Sequence, residues 1–387
     1  MFCFPYTGTG VSWNFDTDYS VYLCSTHTGA EIVSQSDQAE VPKFVGIRSW
    51  ADDLSTEFKL VVSERHKQLQ KSGLVNRPLY ILALSGGGED GAFVAGVLNG
   101  WSANKTRPEF EIITGVSTGA LIAPLAFLGQ EYDGVLKKFY TTISTKDILF
   151  ANLGGGLFGG SALASNIPLQ NKLAEIIDIE FLGKIAAQHK RGRRLFVVTT
   201  NLEAQRPVVW DMGKVAMQGT QKALKLFRSL LLASTAIPGA FPPVALKVEA
   251  NGKVFTELQV DGGTTANSFV APLNVTIPKN RFERRKTIFL LQAGKLAPDH
   301  ENINPKTLKI ASRAIGTLLK YKNFADTRRL YLLANKIGAG FRMISIPKNF
   351  DEASNEPFDK LYMNKLFQLG YEMGRTESGW VSKPEIF

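Results

Sequence analysis

The stretch Leu79-Tyr-Ile-Leu-Ala-Leu-Ser-Gly-Gly-Gly-Glu-Asp-Gly91 carries the clearest fold signal in this sequence of 387 residues. It begins with an unbroken apolar run, Leu79–Leu84, which is typical of a strand buried on both faces of a parallel sheet. Glycines end the run, and Ala92–Trp101 then has the apolar spacing of a helix. The stretch therefore predicts a strand, a glycine-rich loop and a helix in succession.

Similar segments alternate along the rest of the chain. Strands are predicted at Glu111–Thr114, Leu195–Thr200, Val254–Val260 and Thr287–Leu291, and helices from Ala51 to about Gln70 and at Ala120–Leu128. This alternation indicates an α/β fold with a central, mainly parallel sheet. Residues 1–46 show no such pattern, so we expect an irregular N-terminal extension followed by one domain over residues 47–387.

The composition is that of a globular protein with a basic excess. Hydrophobic residues make up 44% and charged residues 21%, which excludes a disordered or fibrous chain. Apolar stretches such as Ala120–Leu128 are too short to span a bilayer, and the N-terminus lacks the pattern of a signal peptide. Cys3 and Cys24 lack the spacing of a metal site, and the sequence leaves open whether they pair. Lys and Arg outnumber Asp and Glu by 45 to 35, and this net charge of +10 leaves nucleic acid, an anionic membrane or a solvated surface as explanations.

The glycine-rich loop has the spacing of a dinucleotide-binding motif, Gly86-x-Gly88-x-x-Gly91, between a predicted strand and a predicted helix. Glu109 and Glu111 lie about where the ribose-binding acid of that motif is expected, but they precede the second strand instead of closing it. A nucleotide-binding module therefore stays open as one alternative, and a tight turn without a ligand as another.

A second motif, Gly115-Val-Ser117-Thr-Gly119, has the form of a nucleophile elbow. On a sharp turn between strand and helix, a serine Oγ is exposed and faces the backbone N–H groups at the start of the helix. Glycines two residues before and after the serine relieve the crowding at such a turn. We therefore expect Ser117 to be a catalytic nucleophile.

A third motif, Asp261-Gly262-Gly263, follows the predicted strand Val254–Val260. A serine hydroxyl is a weak nucleophile, so Ser117 requires a base. Two arrangements are open: Asp261 accepts the proton directly in a Ser–Asp dyad, or His300 does so in a Ser117–Asp261–His300 triad, which has the chain order of α/β hydrolases. In either arrangement the N–H groups of Gly86, Gly87 and Gly88 are candidates to stabilise the oxyanion.

These three motifs, with Arg194–Glu203 and Ala233–Pro243, resemble the patatin-like phospholipases in kind and in order. The likeness extends from about Ile47 to Trp380. It implies a three-layer α/β fold for the domain at 47–387. It also implies lipid acyl esters as substrates, no cofactor and no metal, and a bacterial envelope or secreted setting.

The resemblance also implies the site residues. Ser117 is the expected nucleophile and Asp261 the expected general base, with no role for His300. The oxyanion hole is expected in the glycine-rich loop, and the remaining glycines are expected to support the motifs. The oxyanion residues are Gly86, Gly87, Gly88 and Gly91, and the supporting glycines are Gly115, Gly119, Gly262 and Gly263.

One residue departs from the family pattern. The family usually carries Arg or Lys just before the last glycine of its glycine-rich loop, whereas this chain has Asp90. An acid there argues against a preference for the phosphate side of a substrate but not against hydrolysis. A carboxylesterase or thioesterase that acts on soluble esters with the same residues is therefore an alternative to a phospholipase A.

Positive charge is concentrated in Lys184–Arg194, Arg281–Lys286 and Lys306–Arg329. No DNA- or RNA-binding motif accompanies this charge, so nucleic acid is not an expected partner. Anionic lipid is the expected alternative to a plain solvated surface, because a lipid hydrolase has to reach an interface.

Overall fold

The computed structural model describes residues 39–384, apart from 54–55, 149, 152–161, 163, 272–283 and 301. Most of the expected N-terminal extension, including Cys3 and Cys24, lies outside the described residues. Residues 39–46 are described, and in this segment Ala39, Val41 and Phe44 are buried in the main core. The boundary expected at residue 47 stays a prediction.

The centre of the fold is a nine-stranded sheet, and β4 and β5 form a separate two-stranded sheet. The strands are β1 (Arg48–Trp50), β2 (Leu79–Leu84), β3 (Ile112–Val116), β4 (Phe150–Ala151), β5 (Ala164–Ser165), β6 (Arg194–Asn201), β7 (Arg206–Asp211), β8 (Val244–Ala250), β9 (Lys253–Asp261), β10 (Lys286–Gln292) and β11 (Gly340–Ser345). The order across the large sheet is β1-β7-β6-β3-β2-β10-β11, and β9 pairs with β6 and β8. Strands β6, β3, β2, β10 and β11 are parallel to their neighbours in this series.

Helices cover both faces of the sheet. They are α1 (Thr56–Lys71), α2 (Gly91–Ala103), α3 (Thr118–Leu128), α4 (Asp133–Thr142), α5 (Thr145–Ile148), α6 (Ile167–Ile176), α7 (Ile179–Lys190), α8 (Met212–Met217), α9 (Gln221–Ser234), α10 (Thr307–Lys336) and α11 (Lys360–Thr376). The first helix begins at Thr56, not at Ala51 as expected, because residues 51–53 form a bend. The other predicted helices and strands are present, with ends shifted by at most two residues.

The apolar run at 79–84 is buried on both faces, as its composition predicts. Leu82 and Leu84 belong to the main core, whereas Ile81 and Ala83 belong to a second cluster that includes Leu333 of α10. Alternate side chains of a strand point to opposite faces, so β2 connects the two cores. The expected α/β fold, with a central, mainly parallel sheet between helical layers, is confirmed.

The register of the sheet brings two strand ends together. β3 pairs with β6 up to Val116 and Val198, and β9 pairs with the same strand from Thr199, which lies opposite Asp261. Because β7 pairs with the other edge of β6, β3 and β9 share one edge and meet end to end. The residue after β3, Ser117, is therefore adjacent to Asp261.

Candidate active site

Ser117 lies on a sharp turn between β3 and α3. Its backbone has φ 53° and ψ −124°, a conformation that non-glycine residues seldom adopt. The turn leaves no room for side chains at the flanking glycines. A Cβ on Gly115 would lie 2.4 Å from the carbonyl oxygen of Gly119, and one on Gly119 would lie 2.3 Å from that of Leu84. The local geometry is that of a nucleophile elbow.

The Ser117 hydroxyl donates a hydrogen bond to Oδ2 of Asp261 at 2.6 Å. The other carboxylate oxygen, Oδ1, accepts a hydrogen bond from the N–H of Gly263 at 2.6 Å. Both side chains are buried, with exposed fractions of 6% for Ser117 and 4% for Asp261. Burial raises the pKa of Asp261 to about 7, against the opposing effect of these two hydrogen bonds. A carboxyl group in this state is suited to accept a proton near neutral pH.

Ser234 holds the elbow from a third element. Its Oγ accepts a hydrogen bond from the Ser117 N–H at 3.0 Å and donates one to the carbonyl oxygen of Val198 at 2.7 Å. The sequence motif at Ala233–Pro243 includes this serine, but nothing in the pattern assigned it a contact. Its role follows from the position of α9, whose last residue it is.

The glycine-rich loop leaves two of its N–H groups without a protein acceptor. The Gly86 N–H donates to the carbonyl oxygen of Asn267 at 2.9 Å, and the Gly91 N–H donates to the carbonyl oxygens of Gly88 and Glu89. Within the described residues, the N–H groups of Gly87 and Gly88 donate to no protein acceptor. Gly88 has φ +57° and lines the same cavity as Ser117. Of the four expected oxyanion residues, Gly87 and Gly88 therefore have the available donors.

Asn267 fixes this loop and was not singled out from the sequence. Its Nδ2 donates to the carbonyl oxygen of Gly86 at 3.0 Å, and its N–H donates to Oδ2 of Asp326 at 2.6 Å. A Cβ on Gly86 would lie 2.3 Å from Asn267 Oδ1, so this contact requires glycine. Asn267 therefore links the glycine-rich loop to the segment that follows Asp261.

An apolar cavity opens beside the serine. Gly88, Ser117 and Thr118 line one part of it. The remaining wall is made mainly of apolar and aromatic side chains from several helices and loops: Leu121, Phe139, Tyr140, Ile143, Ile148, Leu169, Ile237, Phe241 and Phe358. Such a wall suits an alkyl chain and offers no charged side chain to a substrate.

The two acids of the glycine-rich loop contact the C-terminal part of the chain. The Tyr362 hydroxyl donates to Oδ1 of Asp90 at 2.8 Å, and the Asp359 N–H donates to Oε2 of Glu89 at 3.3 Å. Burial raises the pKa of Asp90 to about 6, and it also raises the pKa of Glu89. Asp90, which replaces the usual basic residue, is thus held by a tyrosine of α11.

His300 lies apart from this hydrogen-bonded group. Its side chain is exposed, whereas Asp261 is buried and its two carboxylate oxygens contact Ser117 and Gly263. Among the described residues, no cluster of three or more His, Cys, Asp or Glu side chains could hold a metal ion. The same part of the chain contains no helix long and apolar enough to cross a membrane.

Glu111 and the glycine-rich loop lie at opposite ends of the parallel strands. It directly precedes β3, whereas Gly86 follows the carboxyl end of the parallel strand β2. The carboxylate of Glu111 accepts hydrogen bonds from the guanidinium groups of Arg65 and Arg284. The sequence interpretation that placed a ribose-binding acid here is not supported, because this acid is at the opposite end of the sheet.

Comparison with known proteins assigns part of the chain to a family. Residues 82–274 match the family model of the patatin-like phospholipases. No match was found among curated proteins. Two solved structures are similar at low identity. VipD from Legionella pneumophila has a TM-score of 0.39 and 11% identity, with 79% of this chain and 67% of that chain covered. Human GIVD cytosolic phospholipase A2 has a TM-score of 0.34 and 10% identity, with 83% of this chain and 56% of that chain covered.

The matched segment contains the central residues of the candidate site. It begins within β2 and includes the glycine-rich loop, the elbow, Ser234 and Asp261. The family expected from the sequence motifs is confirmed. Residues 82–274 of this chain belong to the patatin-like phospholipase family.

Proposed function

We propose that this chain is a lipid acyl hydrolase that cleaves carboxylic esters through an acyl-enzyme on Ser117, with Asp261 as general base. One observation carries the proposal: the buried hydroxyl of an elbow serine donates to a buried carboxylate at 2.6 Å. The pKa of Asp261, raised to about 7 by burial, supports the role of base. The family assignment supports lipid acyl hydrolysis in general.

The proposed reaction has two halves. Ser117 Oγ attacks the ester carbonyl carbon while its proton moves to Oδ2 of Asp261. The N–H groups of Gly87 and Gly88 are the proposed donors to the resulting oxyanion. The intermediate then breaks its bond to the alcohol, which takes the proton from Asp261. Water adds to the acyl-enzyme with the help of the same carboxylate, and the free acid leaves as the Ser117 hydroxyl re-forms.

The cavity wall supports an ester with an apolar acyl group as substrate. Its wall beside Ser117 is apolar, so an acyl chain gains from the removal of its surface from water. We therefore favour a phospholipase A-type activity over the alternative of a carboxylesterase or thioesterase on soluble esters.

The first experiment asks whether Ser117 is the nucleophile. The full chain is treated with a fluorophosphonate probe, and the modified peptide is mapped by mass spectrometry. The label is expected on Ser117, and Ser117→Ala is expected to lose both the label and ester hydrolysis. Ser378→Ala, which changes an exposed serine, serves as the control and should label as the wild type does. A label at another residue, or an active Ser117→Ala variant, would refute the proposal.

The second experiment separates the dyad from the triad. His300→Ala should retain ester hydrolysis within about twofold, because an exposed residue outside the hydrogen-bonded group contributes no proton transfer. If the His300→Ala variant were as inactive as Ser117→Ala, the triad would replace the dyad.

The third experiment addresses the substrate. Rates are compared on a short-chain soluble ester, a short-chain thioester and phospholipid below and above its aggregation threshold. A jump in rate above the threshold favours lipid as substrate, whereas a constant preference for the soluble compounds favours the carboxylesterase or thioesterase.

Saturable binding of NAD to the chain, with no probe on Ser117, would instead support a nucleotide-binding module.

A further inference from the structure

The amino-terminal half of α10 projects from the body of the protein. Its carboxyl-terminal half packs on the sheet, where Leu330 and Leu333 are buried. In contrast, large apolar side chains of the other half are exposed to solvent. The exposed fractions are 51% for Ile310, 55% for Ile315, 72% for Leu318, 38% for Leu319 and 69% for Tyr321. We call residues 307–321 the projecting half of α10.

The topology places the projecting half on the side of the active site. β10 and β11 are parallel and α10 connects them, so the helix starts near the carboxyl ends of the strands. Asp326 of the helix accepts a hydrogen bond from the Asn267 N–H, beside the glycine-rich loop. At 1.5 Å per residue, Thr307 lies about 28 Å further along the helix axis. The projecting half therefore extends beyond the level of Ser117.

Apolar and basic residues occupy opposite faces of this segment. At 100° per residue, Lys309, Arg313 and Lys320 fall within a sector of about 40°. Ile315, Leu318 and Leu319 lie on the opposite side of the helix, together with Ala311 and Ala314. The basic face contacts the body, since Arg313 Nη2 donates to the carbonyl oxygen of Asp299 and Lys320 Nζ to its Oδ2, both at 2.5 Å. Ile315, Leu318 and Leu319 are exposed, so the apolar face of residues 307–321 is open to solvent.

The charge of the segment is of one sign. Residues 307–321 include three basic residues, Lys309, Arg313 and Lys320, and no acid. A helix with an exposed apolar face and a cationic remainder is suited to the surface of an anionic bilayer. It is poorly suited to pair with the same helix of a second copy, because that contact would bring two such cationic segments together.

We propose that the projecting half of α10 is an interfacial membrane anchor that inserts its apolar face into the surface of an anionic lipid bilayer. The anchor lies along that surface and does not cross it. This placement brings the mouth of the Ser117 cavity towards lipid, so the significance of the anchor for catalysis rests on the proposed function. The binding itself is independent of the chemistry.

The test measures co-sedimentation of the full chain with two kinds of vesicle, pure phosphatidylcholine and an equal mixture of phosphatidylcholine and phosphatidylglycerol. The wild type should bind the mixed vesicles more strongly, and high salt should weaken this binding. The double variant Ile315→Ser/Leu318→Ser should bind at least about tenfold less, because two apolar side chains no longer enter the lipid. Leu332→Ser is the matched control, since Leu332 is 50% exposed on the other half of the same helix and should bind as the wild type does.

A second variant guards against a change in folding. Lys309→Gln leaves the apolar face intact and should weaken binding to the mixed vesicles alone. Fluorophosphonate labelling of Ser117 is measured on the same samples, so failure of the proposed chemistry and failure of membrane binding give different results. The proposal is wrong if the double variant binds vesicles as the wild type does. It is also wrong if the wild type is a dimer in solution that the double variant dissociates while vesicle binding is unchanged.

Discussion

Two buried carboxylates, Asp261 and Glu111, lie near opposite ends of the parallel strands and have opposite surroundings. Their exposed fractions are 4% and 6%. Asp261 receives two hydrogen bonds from neutral donors, Ser117 and Gly263. Glu111 receives its hydrogen bonds from the guanidinium groups of Arg65 and Arg284. The contrast teaches that burial alone does not define the role of a carboxylate, because one of these buried acids faces a hydroxyl and the other faces two cations.

The environment of Glu111 is organised around charge neutralisation. Burial, followed by the charges of Arg194 and Arg284, lowers the pKa of Arg65 to about 9. Because the positive charges of these arginines destabilise one another, their positions in the folded protein depend on the negative charge of the Glu111 carboxylate. We therefore propose that Glu111 serves stability and Asp261 serves catalysis, and variants of the two acids should separate these properties.

The largest expected effect is that of Asp261→Asn on catalysis. An amide cannot accept the proton of Ser117, so kcat/KM for a soluble neutral ester should fall by about 10³- to 10⁴-fold or more. In the wild type, kcat/KM should rise with pH through an inflection near 7, because the base acts when ionised and its pKa is about 7. A residual activity of one tenth or more would contradict the role of Asp261 as base.

The same variant should be more stable than the wild type above pH 7. Burial raises the pKa of Asp261 to about 7, so in the pH range from about 4 to 7 the folded state binds this proton more tightly than the unfolded chain does. The group therefore lowers stability as the pH rises through that range. Asp261→Asn removes this loss of stability. At pH 8 the free energy of unfolding of the variant should exceed that of the wild type by an amount on the order of a few kcal/mol, as measured by chemical unfolding.

Glu111→Gln should give the reverse result. Removal of the charge leaves the partly buried Arg65 and Arg284 without their carboxylate, so the free energy of unfolding should fall by about 3 kcal/mol. Labelling of Ser117 by the fluorophosphonate should persist under conditions where the variant remains folded. Glu109→Gln is the matched control: its side chain is 43% exposed and pairs with Arg191 at 3.2 Å, so a change below about 1 kcal/mol is expected. Equal losses of stability in both variants would refute the distinction.

The strand-turn-helix units around the glycine motifs could be predicted from the sequence, because the backbone conformation of each turn depends on the steric limits of its own few residues. The turn at Ser117 has a backbone φ of 53° and requires Gly115 and Gly119, so it can be recognised from five adjacent residues. The contacts of Ser234 and Asn267 left no such pattern, because they depend on where α9 and the segment after β9 pack. Tyr362 lies 272 residues from the Asp90 that it contacts, so only tertiary structure could reveal the pair.

The smallest expected effect is that of Asp90→Asn, which tests whether Asp261 alone sets the pH dependence. The pKa of Asp90 is also raised by burial, to about 6, so two acids near the cavity titrate close to neutrality. Tyr362 can still donate to the asparagine Oδ1, so the loop should keep its geometry and kcat/KM should change by less than about threefold. The inflection near pH 7 should remain, because burial and not the charge of Asp90 raises the pKa of Asp261.

Tyr362→Phe is the companion variant, since it removes the hydrogen bond and leaves the acid in place. If Asp90→Asn abolished the inflection, Asp90 would control the titration, and the contrast between Asp261 and Glu111 would no longer explain the base.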